Sequence, residues 1–226
     1  MKVGFDGVLL GAWTSTSGCQ RLLDVGTGTG LVALMLAQRT DVDSTQTNID
    51  AIELDKSAAE EAELNVGRSP WKDRIRVHHG DVTCFAKATP YRYDLIVCNP
   101  PFHTGQTSPS AARTKARHHR TLSLERLLAV AADLLSQDGR LALIYPFARR
   151  AEICAHAAQR RLVIRRELKV QPNAGKPFHR TLLELQRDSA TYQTHQLQTS
   201  QLAIEIERHM YTDEFRHLLA PFYLAF

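Results

Sequence analysis

A chain of 226 residues with 43% apolar content suffices for one large α/β domain with a substantial core. It holds no run near the roughly 18 uninterrupted apolar residues of a membrane-spanning helix, and its first residues, Met1-Lys2-Val3-Gly4-Phe5-Asp6, do not read as a signal peptide, so the expected compartment is the cytoplasm. The formal charge of +4 and the pI of about 9.0 permit a nucleic-acid partner without demonstrating one.

In chain order, apolar runs that read as strands alternate with helical patterns. Arg21 to Val25 is a short buried strand that ends in a glycine loop, and Leu31, Leu34, Met35 and Gln38 follow at helical spacing. Ile49 to Leu54 is the second strand. Asp55 is placed to cap the next helix and Gly67 to end it. Ile75 to Val77 is a third strand and Tyr93 to Cys98 a fourth, stopped by Pro100-Pro101. Leu124, Leu127, Leu128, Ala131, Leu134 and Leu135 form a helical stripe closed by Gly139, and Leu141 to Tyr145 is the fifth strand. The remainder changes style. Leu162 to Val170 alternates with a period of two, Thr181 to Leu185 is strand-like, and Pro172 to Pro177 reads as the loop between them. These two strands are expected to finish the sheet as an antiparallel pair. Ser189 to Ser200 is polar and reads as a mobile loop. Leu202 to Ile206 and a short helix from Thr212 to Leu219 close the chain. The expected fold is therefore α/β, a Rossmann-like, seven-stranded, mostly parallel sheet with helices on both faces, formed by residues 1–226 as a single domain. Cys19, Cys84, Cys98 and Cys154 make no C-x-x-C pair and read as buried thiols of a reducing compartment.

The loop Asp24-Val25-Gly26-Thr27-Gly28-Thr29-Gly30 lies between a strand and a helix, where glycines let a ligand approach the free N–H groups of the helix start. Gly28-Thr29-Gly30-Leu31-Val32-Ala33 also satisfies the dinucleotide pattern G-x-G-x-x-A, so a nicotinamide oxidoreductase competes. Asp24 favours another ligand. A carboxylate there repels a pyrophosphate and suits S-adenosylmethionine, which brings a sulfonium and an ammonium; otherwise Asp24 caps a tight turn. Glu53, at the end of the second strand, can accept hydrogen bonds from ribose hydroxyls of either cofactor. Asp81 can accept from an adenine amino group, cap the following helix, or do both.

Asn99-Pro100-Pro101-Phe102 follows the fourth strand, at the edge where open α/β sheets bind ligands. Two prolines remove two backbone donors and stiffen the loop. The Asn99 amide and the Pro100 carbonyl can together accept both hydrogens of an –NH2 group, making its lone pair more available. Phe102 can stack on a planar substrate.

This ordered set resembles the amino-methyltransferases that modify adenine N6, guanine N2 or a protein glutamine amide. Lys2-Val3-Gly4-Phe5-Asp6-Gly7-Val8-Leu9-Leu10-Gly11-Ala12-Trp13, Ser69-Pro70-Trp71 and Phe222-Tyr223-Leu224 further resemble the bacterial tRNA(Val) adenine-37 N6-methyltransferase family, over nearly the whole chain. The resemblance implies S-adenosylmethionine bound by Asp24, Gly26, Thr27, Gly28, Gly30, Glu53 and Asp81, and catalysis by Asn99, Pro100 and Phe102. Members usually carry residues before the block that starts here at Met1, which implies that an N-terminal segment is missing. Many have Tyr in place of Phe102, and Phe102-His103 is also similar to guanine-N2 ribosomal-RNA enzymes, so that alternative stays open beside the protein-glutamine one.

Leu95 through Leu124 holds no acidic residue, and Arg113, Lys115, Arg117 and Arg120 in it are the expected contacts to RNA phosphates. Its first half, rich in Ser, Thr, Gly and Pro, reads as a mobile loop. The arginine pairs Arg149-Arg150, Arg160-Arg161 and Arg165-Arg166 read mostly as solvated. His118-His119 point apart with no acidic neighbour, so no metal is expected. The expected partner is tRNA, with no membrane, for a monomeric enzyme. A non-catalytic RNA-binding module is the rival of another class.

Overall fold

The computed structural model describes residues 4–40, 47–101, 122–188 and 196–223. One sheet of nine strands organises them, in the order β3-β2-β1-β4-β5-β7-β6-β8-β9. Its strands are β1 (Arg21–Val25), β2 (Asn48–Glu53), β3 (Ile75–His79), β4 (Tyr93–Cys98), β5 (Leu135–Pro146), β6 (Leu162–Asn173), β7 (Arg180–Arg187), β8 (Gln198–Glu207) and β9 (Met210–Tyr211). β1 to β5 are parallel. β7 inserts antiparallel between β5 and β6, so the expected antiparallel pair is present.

The count exceeds the expected seven because β8 joins β6 in parallel and β9 turns back on β8. β8 begins at Gln198, inside the stretch whose composition reads as a loop; residues 189–195 of that stretch lie outside the described residues. Polar composition misleads there because β8 is largely exposed, with only Leu202 buried. Its pairing rests on backbone hydrogen bonds, to which side-chain pattern is blind. β6 likewise runs through Pro172 to Asn173.

The helices are α1 (Phe5–Trp13), α2 (Leu31–Thr40), α3 (Lys56–Gly67), α4 (Val82–Ala88), α5 (Leu124–Leu134), α6 (Arg150–Gln159) and α7 (Asp213–Leu219). Alternate strand residues face two separate cores. Leu22, Ile49, Leu95 and Val97 meet α1, α2 and α7. Leu23, Ile52, Ile96 and Leu143 meet α5 and α6. Such burial on both faces produces the near-continuous apolar runs of β1 and β4. Ser123 caps α5, accepting from Arg126 N–H at 3.2 Å. That helix stops at Leu134, and not at Gly139 as its apolar stripe suggests. Gly139 lies instead in β5, where a Cβ would sit 2.5 Å from the Tyr93 carbonyl oxygen.

The opening block forms α1, a helix that periodicity conceals because Val8, Leu9, Leu10, Ala12 and Trp13 are all buried. α1 lies on α2 at close range: a Cβ on Gly11 would meet Met35 Sδ at 2.8 Å and Met35 Cβ at 3.2 Å. α7 covers α1 from outside, with the Phe5 and Phe215 rings stacked at 5.5 Å between centroids. Of the cysteines, Cys19 and Cys98 are buried, but Cys84 is exposed and Cys154 half-buried. Among the described residues no helix is long and apolar enough to cross a membrane.

Gly11→Ala should lower stability by about 1–3 kcal/mol through overpacking against α2, read from the urea midpoint. In a Met35→Ala background the penalty should shrink, because the two sites are in contact. An equal penalty in both backgrounds would place the strain elsewhere.

Candidate active site

The carboxyl ends of β1, β2 and β4 open onto a cavity of about 840 Å³. Its wall brings together Asp24, Gly26, Thr27, Gly28, Glu53, Asp81, Asn99 and Pro100 from four separate stretches of chain. Of the residues expected there, Gly30 is not in the wall. It stands behind the loop at φ +85°, with Ala62 of α3 next to it. Its requirement is conformational, since an L side chain rarely adopts that φ. Phe102, Arg113, Lys115, Arg117 and Arg120 lie outside the described residues.

The glycine loop is held at several points. Gly26 and Thr27 donate their N–H groups to the Ile52 carbonyl at 2.9 and 3.1 Å. Asn65 of α3 donates to the Thr29 carbonyl at 2.9 Å. Asp24, only 2% exposed, accepts at Oδ2 from the Thr27 hydroxyl at 2.6 Å and from Ala33 N–H at 3.1 Å. One oxygen thus ties the strand end both to the loop and to the first turn of α2. Glu53 bridges in a similar way. Its Oε2 accepts from Gly28 N–H and its Oε1 from Asp55 N–H, each at 2.9 Å. Asp81 is the N-cap of α4, and its Oδ1 accepts from Thr83 N–H at 2.7 Å and the Thr83 hydroxyl at 2.6 Å. The Thr83 hydroxyl, chiefly, holds its carboxyl below the ordinary range.

Burial pushes Asp24 up to about 6, against the bonds from Thr27 and Ala33, and the nearby Glu53 carboxylate adds to the rise. Both bonded donors are neutral. A buried carboxylate served only by neutral dipoles is matched to a ligand that brings positive charge. The donor set fits a sulfonium cofactor with its adenosine: Asp24 for charge, Glu53 and Asp81 as acceptors, and exposed Leu54 as an apolar wall. Next to Asp24, burial pushes the Cys98 thiol up, so it stays neutral.

Motif reading missed the wall opposite the loop. α1 supplies Asp6 and Gly7, and the start of β7 supplies His179 and Arg180. Arg180 Nε donates to Asp6 Oδ2 at 2.9 Å, joining the two elements within that wall. A Cβ on Gly7 would lie 3.7 Å from the Asn99 amide nitrogen, so α1 backs the Asn99-Pro100 turn directly. Burial and the Arg180 charge lower the His179 pKa, and its Nδ1 lies 3.2 Å from the Val170 carbonyl, which an N–H can meet only as donor. Asp6 falls within the distinctive opening block. Arg180 has no local motif, and only the antiparallel course of β7 brings it here. Among the described residues no group of three or more His, Cys, Asp or Glu could hold a metal ion.

A glycine loop after β1, an acidic residue ending β2 and Asn99-Pro100 after β4, all in one cavity, define a methyltransferase of the small-domain class. The family model described as methyltransferase small domain matches residues 8–156. The chain belongs to that family and, within it, to the family of the tRNA1(Val) (adenine(37)-N6)-methyltransferases. A protein of that name from Trichodesmium erythraeum is 43% identical over 227 residues, covering 100% of this chain and 92% of its own length. Another from Parabacteroides distasonis is 44% identical over 225 residues, covering 99% and 91%. Among solved structures, a predicted O-methyltransferase of Agrobacterium tumefaciens shares the fold with a TM-score of 0.71 at 20% identity, over 96% of each chain. A type I restriction-modification methyltransferase subunit of Streptococcus thermophilus has a TM-score of 0.64 at 15% identity, over 97% of this chain and 52% of its own.

The raised Asp24 pKa has a consequence for stability. Folded Asp24, near 6, holds its proton more tightly than an unfolded Asp at the ordinary 3.8. Its contribution is fully present below about pH 4 and is lost as pH rises through about 6, a fall on the order of 2–3 kcal/mol. Without ligand, Asp24→Asn should remove that part of the pH dependence and be the more stable protein at pH 7. Urea unfolding of both proteins from pH 4 to 7.5 tests this; parallel stability curves would show that Asp24 does not titrate in the window.

Proposed function

We propose that this chain transfers a methyl group from S-adenosylmethionine to the N6 amine of an adenine in tRNA, adenine-37 in the anticodon loop of a tRNA(Val). The observation that carries the reading is the presence of Asn99-Pro100 and the buried Asp24 carboxylate in one cavity. The full-length identity to enzymes of that name supports the choice of substrate. In this reading residues 1–226 act as one domain and as a monomer, in the cytoplasm with the tRNA.

S-adenosylmethionine supplies a methyl group on a sulfonium, a leaving group good enough to need neither metal nor covalent enzyme intermediate. Asp24 provides the counter-charge, Glu53 accepts from the ribose hydroxyls and Asp81 from the adenine amino group. The base leaves its stack to reach the cavity. Asn99 Oδ1 and the Pro100 carbonyl then accept the two hydrogens of its amine, which draws the nitrogen lone pair out of conjugation. Acceptors fixed in a half-buried loop need no reorganisation as positive charge develops on nitrogen, and holding the reactants together supplies much of the remainder. The proton leaves after transfer, so no side chain is assigned as a dedicated base. Stacking by Phe102 and phosphate contact by Arg113, Lys115, Arg117 and Arg120 are proposed from sequence.

Asn99→Ala should lower kcat by roughly 100- to 1000-fold while S-adenosylhomocysteine binds with unchanged affinity by calorimetry. In cells, deletion of the gene should remove N6-methyladenosine from tRNA(Val), measured by mass spectrometry of digested tRNA. Wild type should restore it and Asn99→Ala should not. Persistence of the mark in the deletion strain would sink the substrate assignment, and near-normal turnover by Asn99→Ala would sink the role of the amide.

A further inference from the structure

α1 ends at a second cavity. Asp6 and Gly7 at its start line the catalytic cavity, whereas Trp13 at its end lines another of about 550 Å³. Gly7 and Trp13 are separated by roughly 9 Å along the helix axis. The wall of this second cavity contains Arg39, Arg140, Arg165 and Arg166, and among the described residues Glu184 is its one carboxylate. The arginines come from α2, β5 and β6, so no sequence motif marks them.

Their contacts leave the charge uneven. Glu184 takes Arg166 as its partner, at 3.1 Å. Arg39 donates to the carbonyls of Gly11 and Thr14. Arg140 donates to those of Ser15 and Ser17. These acceptors are neutral, and Arg140 Nε is buried with no hydrogen-bond partner among the described residues. Burial, and then repulsion from Arg166, lower the pKa of Arg39. Closing the C-terminus of α1 accounts for part of this arrangement, but a helix end offers only about half a negative charge. Arg39 and Arg140 bring two positive charges, before Arg165 is considered. Arg39 and Arg140 in one half-buried wall, with Arg166 near enough to repel Arg39, suit a dianion with several acceptor oxygens, and phosphate matches their planar donors.

We propose that this cavity is a phosphate-binding site separate from the catalytic one, filled either by a backbone phosphate of the bound RNA or by free phosphate. The first source rests on the RNA-methylating function proposed above. An RNA loop with one base in the catalytic cavity trails phosphates to either side, within reach of other basic cavities on the surface.

Removing the arginines would loosen the end of α1, so the test adds charge instead. Gln196 and Gln198 are exposed residues of the cavity wall. Gln196→Glu with Gln198→Glu places carboxylates there and leaves every arginine in place. Inorganic phosphate titrated calorimetrically should bind wild type and not the double variant. Binding of tRNA(Val), measured at several salt concentrations, should weaken in the variant, its salt slope flattening by about one unit. KM for tRNA should rise while kcat and S-adenosylhomocysteine affinity hold. Loss of phosphate binding with unchanged tRNA affinity assigns the site to free phosphate; a change in tRNA binding assigns it to the RNA backbone. If wild type binds no phosphate and the two proteins show the same tRNA affinity and slope, the proposal is overturned. A wild type that binds phosphate but methylates no tRNA removes the proposed function and leaves the site standing.

Discussion

Burying a carboxylate at the end of a central strand is unfavourable unless donors meet it, and Asp24 meets two of them with a single oxygen. Thr27 and Ala33 converge on its Oδ2, so the same atom fixes the path of the glycine loop and the start of α2. The loop in turn donates to the neighbouring strand end. Its N–H groups reach the Ile52 carbonyl and the Glu53 side chain, which locks the ends of β1 and β2 in mutual position. What remains is a carboxylate raised to about 6 by burial and facing a cavity, a site that favours a cationic ligand over a pyrophosphate. The property that separates this site from a dinucleotide site is thus also the one that holds its loop together.

The side of the cavity opposite the loop depends on packing. α1 is buried on all sides, between α2 and α7, and Gly11 permits the close approach to Met35. That placement sets Gly7 behind Asn99 and Asp6 against Arg180. Phe215 of α7 stacks on Phe5 of α1, and Phe222 packs against the same core, so this end of the chain covers the opening helix.

Arginine pairs in this chain resist interpretation from sequence for a physical reason. Arg149-Arg150 and Arg160-Arg161 lie at the two ends of α6, and Arg165-Arg166 lies at a register irregularity in β6, so what each arginine meets depends on its tertiary partner and not on its neighbour in sequence. Arg149 and Arg160 do form exposed ion pairs, with Glu152 and Glu125, the weak sort expected at a surface. Arg150 instead binds Glu167, which is 1% exposed, and Arg166 binds the buried Glu184. Breaking a buried pair of this kind costs far more than breaking a surface one, so these arginines belong to the architecture of β6 and β7.

By itself the sequence determined the ordered set of candidate ligand residues, because each lies at or just after the end of an apolar run whose length and termination are local properties. β1, β2 and β4 and the turns after them appear where pattern places them, and Asp24, Glu53, Asp81 and Asn99 do meet in one cavity. Only the tertiary structure decided the rest. α1 has no amphipathic stripe because every side is covered, β8 has little apolar alternation because it is largely exposed, with only Leu202 buried, and Gly30 is required for its backbone angle and not for contact with a ligand. Arg180 and the four arginines at the far end of α1 are separated by long stretches of chain from the residues they meet, and no local spacing encodes such a meeting. Periodicity reports how a segment divides between core and solvent; which segments then face one another depends on the pairing of β6 to β9 and the packing of α1, long-range contacts that no single window of sequence contains.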